Sequence, residues 1–189
     1  MKVGILGEFS GTVRDAFIAR GHDAISCDLL DTDKPGPHIK GDCLQQDWSL
    51  FDLLICHPPC TRLCNSGVRW LNERDLWQDM REAAMFFKAC LALGPRCGCE
   101  NPVMHRYAIE IIGCKQTQSV QPWQFGDGYT KRTCLWLRNL PPLKSTNIVS
   151  GRIAQCHNES PGPDRWKRRS ITYPGIAAAM ADQWGSIKI

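Results

Sequence analysis

The feature that most limits what this chain can fold into is a strand-length apolar run, Phe51 to Cys56, with Leu53, Leu54 and Ile55 in a row. It stops abruptly at His57-Pro58-Pro59-Cys60. A strand that is apolar at consecutive positions has no wet face, so it belongs in the middle of a sheet covered by helices on both sides. Shorter runs of the same kind recur: Val3 to Leu6, Asp23 to Cys27 ending at Asp28, and His38 to Lys40 ending at Gly41-Asp42. Another enters Cys97-Gly98-Cys99-Glu100-Asn101-Pro102, and Thr133 to Leu137 is the clearest strand of a β-like stretch after Gly113. Helical segments alternate with them. Thr12 to Arg20 is stopped by Gly21, and Ile176 to Trp184 is opened by Tyr173-Pro174-Gly175. The longest runs from Asn72 to Leu93, with Asn72 as cap, Asp75 three residues on, and Leu76, Met80, Ala84, Phe87 and Leu91 on one face, ended by Gly94. This alternation predicts an α/β fold with an open, mostly parallel sheet, in one domain spanning residues 1–189.

In such sheets ligands sit at the carboxyl ends of the strands. The unusual loops fall at those ends: Phe9-Ser10-Gly11, Asp28, Asp42, Pro58-Pro59-Cys60 and Glu100-Asn101-Pro102. Gly11 leads into a helix N-terminus, which suits close approach of a cofactor to the backbone. The dinucleotide fingerprint Gly-x-Gly-x-x-Gly is missing there. Asp28, at the end of the second strand, stands where an acid grips ribose hydroxyls. Asp42, at the end of the third, can accept from a base's amino group. Together they outline a nucleoside-containing cofactor without a tightly bound phosphate, which favours S-adenosylmethionine over NAD. Phe9, Ser10, Gly11, Cys43 and Pro59 complete the expected cofactor set.

Pro58 and Pro59 hold the backbone stiffly extended, so Cys60 is presented as a nucleophile would be. There are eleven cysteines. With no secretory signal in Met1-Lys2-Val3-Gly4-Ile5-Leu6, they suggest a reducing, cytoplasmic setting in which most thiols serve packing. No apolar run approaches the roughly 20 residues of a membrane span. Cys56, Cys60 and Cys64 miss the radical iron–sulfur spacing by one residue, and Cys97 and Cys99 lie too close for a zinc knuckle, so no metal is expected. Residues 1–129 carry 13 Lys and Arg against 16 Asp and Glu, whereas residues 130–189 carry 10 against 3. A late basic patch of this kind usually meets a phosphate-bearing partner. Its basic residues are interleaved with Trp136, Trp166 and Tyr173, which favours packed structure over a tail.

Pro59-Cys60, Glu100-Asn101-Pro102 and Phe9-Ser10-Gly11, in this order and at these strand ends, resemble the cytosine-5 DNA methyltransferase family. Cys60 to Gly67 is similar to that family's Cys-Gln-x-Phe-Ser-x-x-Gly. Tyr173-Pro174-Gly175-Ile176-Ala177 is similar to its closing motif. The resemblance covers roughly residues 1–140 and the segment that closes the chain, and its compactness is of a phage-type member. It implies a Rossmann-like S-adenosylmethionine-dependent methyltransferase fold. It also implies Cys60 as the thiolate that adds to carbon 6 of cytosine, its pKa lowered by nearby positive charge. Glu100 would be the acid for ring nitrogen 3, its pKa raised by burial. Arg132, in Lys131-Arg132-Thr133, would be the cation that grips the base. A base in a duplex must be flipped out to be reached.

The chain departs from the family at several points. Gly7 stands where an acid is usual, Val13 and Arg14 replace glycines, Thr61 replaces the Gln after the nucleophile, and Thr130-Lys131-Arg132-Thr133 is a reduced form of Gln-x-Arg-x-Arg. The family's Gly-Asn appears as Pro174-Gly175. The segment 139–172 is short, basic and proline-rich, and stands in place of a target-recognition domain. Major-groove readout would therefore be slight. Lys131, Arg165, Lys167, Arg168 and Arg169 are the expected phosphate contacts, on single- or double-stranded DNA, with a protein partner as another source of recognition. The same chemistry on a free pyrimidine nucleotide, or a degenerate protein that binds nucleic acid or cofactor, are the rival readings.

Overall fold

The structure, a computed structural model, describes residues 1–188. The first half runs β1 (Lys2–Leu6), α1 (Thr12–Ile18), β2 (Asp23–Asp28), β3 (His38–Lys40), β4 (Leu53–Cys56), α2 (Arg69–Glu73) and α3 (Trp77–Ala92). The second runs β5 (Cys97–Asn101), α4 (Arg106–Ile112), β6 (Gln118–Val120), β7 (Thr133–Arg138), α5 (Gln155–Asn158), α6 (Arg165–Ser170) and α7 (Pro174–Gln183). Seven strands form one sheet in the order β3-β2-β1-β4-β5-β7-β6. The first five are parallel, and β7 runs antiparallel to both β5 and β6. The all-apolar run therefore sits where its composition demands: every residue of β4 is buried, between β1 and β5.

Helices cover both faces, as a sheet of this kind requires. On one face Met80, Ala84 and Phe87 of α3 and Ala108 and Ile112 of α4 pack on Leu54, Cys56, Cys97 and Trp136. On the other, Val13 and Phe17 of α1 and Ile176, Ala177 and Met180 of α7 pack on Val3, Ile5, Leu53 and Leu135. Leu140 and Leu143 join this second core, and the Trp184 indole N–H donates to the Pro141 carbonyl at 2.9 Å. Seven of the eleven cysteines are buried, which is the packing use expected of most of them. No described helix is long and apolar enough to cross a membrane.

The segment expected to be one helix from Asn72 to Leu93 is two helices. Asn72 lies inside α2 and is no cap; its side-chain oxygen accepts from the Trp77 indole at 3.1 Å. Asp75 takes a left-handed backbone (φ 48°), a conformation that Asp tolerates better than most residues and that a continuing helix cannot contain. The apolar face predicted for Leu76, Met80, Ala84, Phe87 and Leu91 is nevertheless the one turned to the core. Helix α3 closes at Leu93 rather than Gly94, and α1 ends at Ile18, two residues short of Arg20. Two short helices, α5 and α6, lie in the 139–172 segment, where the sequence pattern suggested neither.

Candidate active site

Because β1 to β5 are parallel, their carboxyl ends share one edge of the sheet, and a cavity of about 970 Å³ opens there. Asp28 from the end of β2, Asp42 and Cys43 from the loop after β3, and Phe9 from the loop after β1 border it. A smaller cavity of about 130 Å³ adjoins, bordered by Ser10 and Glu100. Phe9, Pro59, Cys60, Lys131 and Arg169 border both cavities, whereas Arg132 borders only the larger. Gly11, Arg165, Lys167 and Arg168 border neither.

The first loop acts differently from the sequence expectation. The N-terminus of α1 is filled from within: the buried Glu8 carboxylate accepts from the amides of Val13 (2.6 Å) and Arg14 (3.1 Å). Those N–H groups are not free for a phosphate or a cofactor backbone contact. Gly11 serves another purpose. It turns the chain at φ 69°, and a side chain there would meet the Arg14 guanidinium.

At the other end of the larger cavity, one oxygen of Asp28 accepts from the Leu30 amide and one oxygen of Asp42 from the Leu44 amide, each at 2.9 Å. The second oxygen of each makes no hydrogen bond among the described residues. Leu29 and Leu30 supply an apolar wall, and Trp166 of α6 stands over Phe9 with ring centroids 6.1 Å apart. Two acceptors, apolar walls and an occupied helix terminus suit a ligand of hydroxyls, amino groups and positive charge. S-adenosylmethionine has those groups and no phosphate, so the residues present fit it.

The loop that carries Cys60 is fixed from several sides. The His57 amide donates to the Leu6 carbonyl at 2.7 Å, and the buried Asn101 side chain donates to the Pro58 carbonyl at 2.8 Å. The Cys60 carbonyl accepts from the amides of Leu63 and Cys64, each at 3.0 Å, and the Asn65 amide reaches the Val103 carbonyl at 2.9 Å. The β4 and β5 loops are thus strapped together with Cys60 at their junction. Gly7 completes the fit: at φ 72° a methyl group there would lie 2.6 Å from the His57 carbonyl. That contact is a physical reason for glycine where the family carries an acid. Gly7→Ala is expected to lower unfolding stability by about 1–3 kcal/mol, read from a denaturant midpoint.

The electrostatics at this junction reverse two expectations. Glu100 is buried and bonded, Oε2 to Nδ1 of His57, at 2.9 Å. Burial works to raise its pKa, but the His57 hydrogen bond and the charges of Lys131 and His57 outweigh it, so the carboxyl lies below its ordinary range. It is a carboxylate, not the burial-raised acid expected. His57 lies above its ordinary 6.5, because Glu100 and then Glu8 outweigh the burial that would lower it. Cys60 is pushed up, first by its hydrogen bond to Cys64 and then by burial, with Lys131 working against both. Cys64 is held down to about 5 by that same hydrogen bond, aided by Ser66 and the Gly67 amide against burial. The charge of nearby Lys131 works to lower Cys60, as expected, but it is outweighed.

One further group escaped the sequence reading. Trp70 of α2 lies between two guanidinium groups, Arg69 and Arg74, each 4.2 Å from its ring centre. Trp70, Arg62 and Arg74 border the larger cavity, as Arg169 and Trp166 do. The expected basic cluster divides its work. Arg165 and Arg168 turn inward on the segment itself, to the carbonyls of Glu159 (2.8 Å) and Ser160 (3.2 Å). Lys167 stands over Phe9 and Trp166.

No family model and no curated protein matches this sequence. Among solved structures it is similar to the methyltransferase EhMeth of Entamoeba histolytica, with a TM-score of 0.52 and 14% identity. The match covers 86% of this chain and 60% of that one, so the chain spans less than two thirds of that structure's length. At this identity the likeness establishes the fold: a Rossmann-like α/β architecture shared with a methyltransferase.

Proposed function

We propose that the chain transfers a methyl group from S-adenosylmethionine to carbon 5 of cytosine in DNA, through a covalent adduct on Cys60 and with little sequence specificity. The observation that supports this most directly is that Cys60 and Glu100 border one small cavity, which shares walls with a larger one edged by Asp28 and Asp42. Asp28 would take the ribose hydroxyls and Asp42 the base amino group, with Phe9 and Trp166 as walls. When bound, the cofactor supplies an electrophilic methyl group. The chain's own residues prepare the acceptor: Cys60 adds to carbon 6 and makes carbon 5 enamine-like, while Glu100 lies beside the ring's polar edge. The backbone of the nucleic acid would run along the basic residues that border the larger cavity, Arg62, Arg74, Lys131 and Arg169.

The test is transfer of labelled methyl from S-adenosylmethionine to duplex DNA, single-stranded DNA, RNA and free cytidine nucleotides. Label in one of them names the substrate class. Label in none, with cofactor binding intact, overturns the reading in favour of a binding protein. Asp28→Ala is expected to weaken cofactor binding by about 1–2 kcal/mol by calorimetry, the scale of lost hydrogen bonds to a charged group. Unchanged affinity would remove Asp28 from the site.

A further inference from the structure

His57 is the one group at this centre with no part in the chemistry above, and it is placed to have one. We propose that His57, through Nε2, is the proton donor to ring nitrogen 3 of the base, and that Glu100 acts by orienting and charging the imidazole. This rests on the functional reading above and assigns a role within it.

The argument is geometric first. Nδ1 is committed to Glu100 Oε2 at 2.9 Å, which leaves Nε2 as the only ring nitrogen able to face another group. Nε2 is buried and has no hydrogen-bond partner among the described residues. A buried polar atom left unpaired costs free energy, so its persistence needs a reason. His57 borders both cavities, as Cys60 does three residues later. The ring is held on a backbone tied to Leu6 at 2.7 Å and pressed against Gly7. A carboxylate on Nδ1 fixes which nitrogen faces outward and favours the protonated ring.

The charges facing His57 agree with this. Glu100 from β5 and Glu8 from the loop after β1 raise its pKa, Lys131 from the loop before β7 lowers it, and Arg169 of α6 borders the same two cavities. The balance keeps a proton on the imidazole and not on Glu100. In the addition step the Cys60 Sγ–H proton passes to water. The Sγ–carbon 6 bond forms, and the electron pair of the 5,6 double bond moves to join carbons 4 and 5. The pair of the nitrogen 3–carbon 4 double bond moves to nitrogen 3, which takes the proton from Nε2. His57 is then neutral. After methyl transfer, carbon 5 gives its proton to water, that C–H pair re-forms the 5,6 double bond, Sγ leaves carbon 6 with its bonding pair and takes up a proton again, and the proton on nitrogen 3 returns to Nε2.

The test is the pH dependence of methyl transfer to a cytosine-containing oligonucleotide by the full chain, its Glu100→Gln and its His57→Gln variants. The parent rate should fall as pH rises through the elevated His57 value. Glu100→Gln should keep measurable transfer and move that fall to lower pH, because the imidazole loses its carboxylate. His57→Gln should lose about 10²–10³-fold and show no such fall, the scale of a general acid removed. A fall that does not move in Glu100→Gln, or a His57→Gln variant near parental rate, overturns the assignment alone. No transfer by the parent chain to any cytosine substrate overturns the functional reading itself. A measurement without variants guards against misfolding: NMR titration of the parent His57 ring, which must titrate above its ordinary 6.5. Titration below that value overturns the proposal.

Discussion

Cys60→Ser transfers no methyl label above background, while its affinity for S-adenosylmethionine stays within about twofold of the parent chain. The alcohol is nearly the size of the thiol but far less acidic and less nucleophilic, so addition to carbon 6 fails. Loss of a nucleophile costs orders of magnitude in rate, about 10³-fold or more. The loop should keep its shape. Its ties run through the carbonyl of Cys60, the carbonyl of Pro58 and the amide of His57, none of which the substitution touches. An oligonucleotide carrying 5-fluorocytosine separates the steps: the parent chain should form a denaturation-resistant complex in the presence of cofactor, and the variant none. Retained transfer in Cys60→Ser would end the covalent mechanism.

Arg14→Leu is expected to lose about 3–5 kcal/mol of unfolding stability, the largest loss of any single change considered for this fold. The Arg14 side chain is fully buried at the start of α1. Its guanidinium donates to Asp15 (2.8 Å), to the hydroxyls of Ser26 and Thr32, and to the carbonyls of Lys34 and Pro35 (each 3.2 Å). Leucine fills part of the volume and satisfies none of these acceptors, two of which are backbone carbonyls of the loop between β2 and β3. That loop also carries Leu29 and Leu30 of the cavity wall. The variant should therefore weaken cofactor binding as well as shift a urea midpoint. A midpoint near that of the parent chain would show that the loop holds itself.

How much of this was legible beforehand follows from how local each signal is. Strand β4 was read from its own four apolar residues, and the loops at the strand ends followed once the sheet was taken as parallel. Arg14 escaped because most of what satisfies its buried cation is distant: besides the adjacent Asp15, its partners lie 12 to 21 residues away, three of them on the loop it fixes. Glu8 looked like an ordinary loop acid, yet it occupies the helix terminus that Gly11 was expected to open. The Arg62, Arg69 and Arg74 group was hidden by counting charge along the chain. It belongs to the net-acidic part of the sequence, and folding sets Arg62 and Arg74 on the same cavity as Lys131, Arg132 and Arg169 of the basic part. The acid expected at Glu100 was placed on the right strand end, but its proton depends on His57, a residue 43 positions earlier that only the β4–β5 pairing brings near.

The packing of α7 against α1 has a consequence for synthesis. The first helix of the chain buries Val13 and Phe17 against Ile176, Ala177 and Met180, residues that leave the ribosome more than 150 positions later. Arg20 and Asp182 form an ion pair across the same contact. Until α7 emerges, that face of the nascent sheet is covered by α1 alone, and β5 waits for β7 as its neighbour. From the synthesis of α1 to that of α7, a growing chain therefore keeps apolar surface open to chaperones.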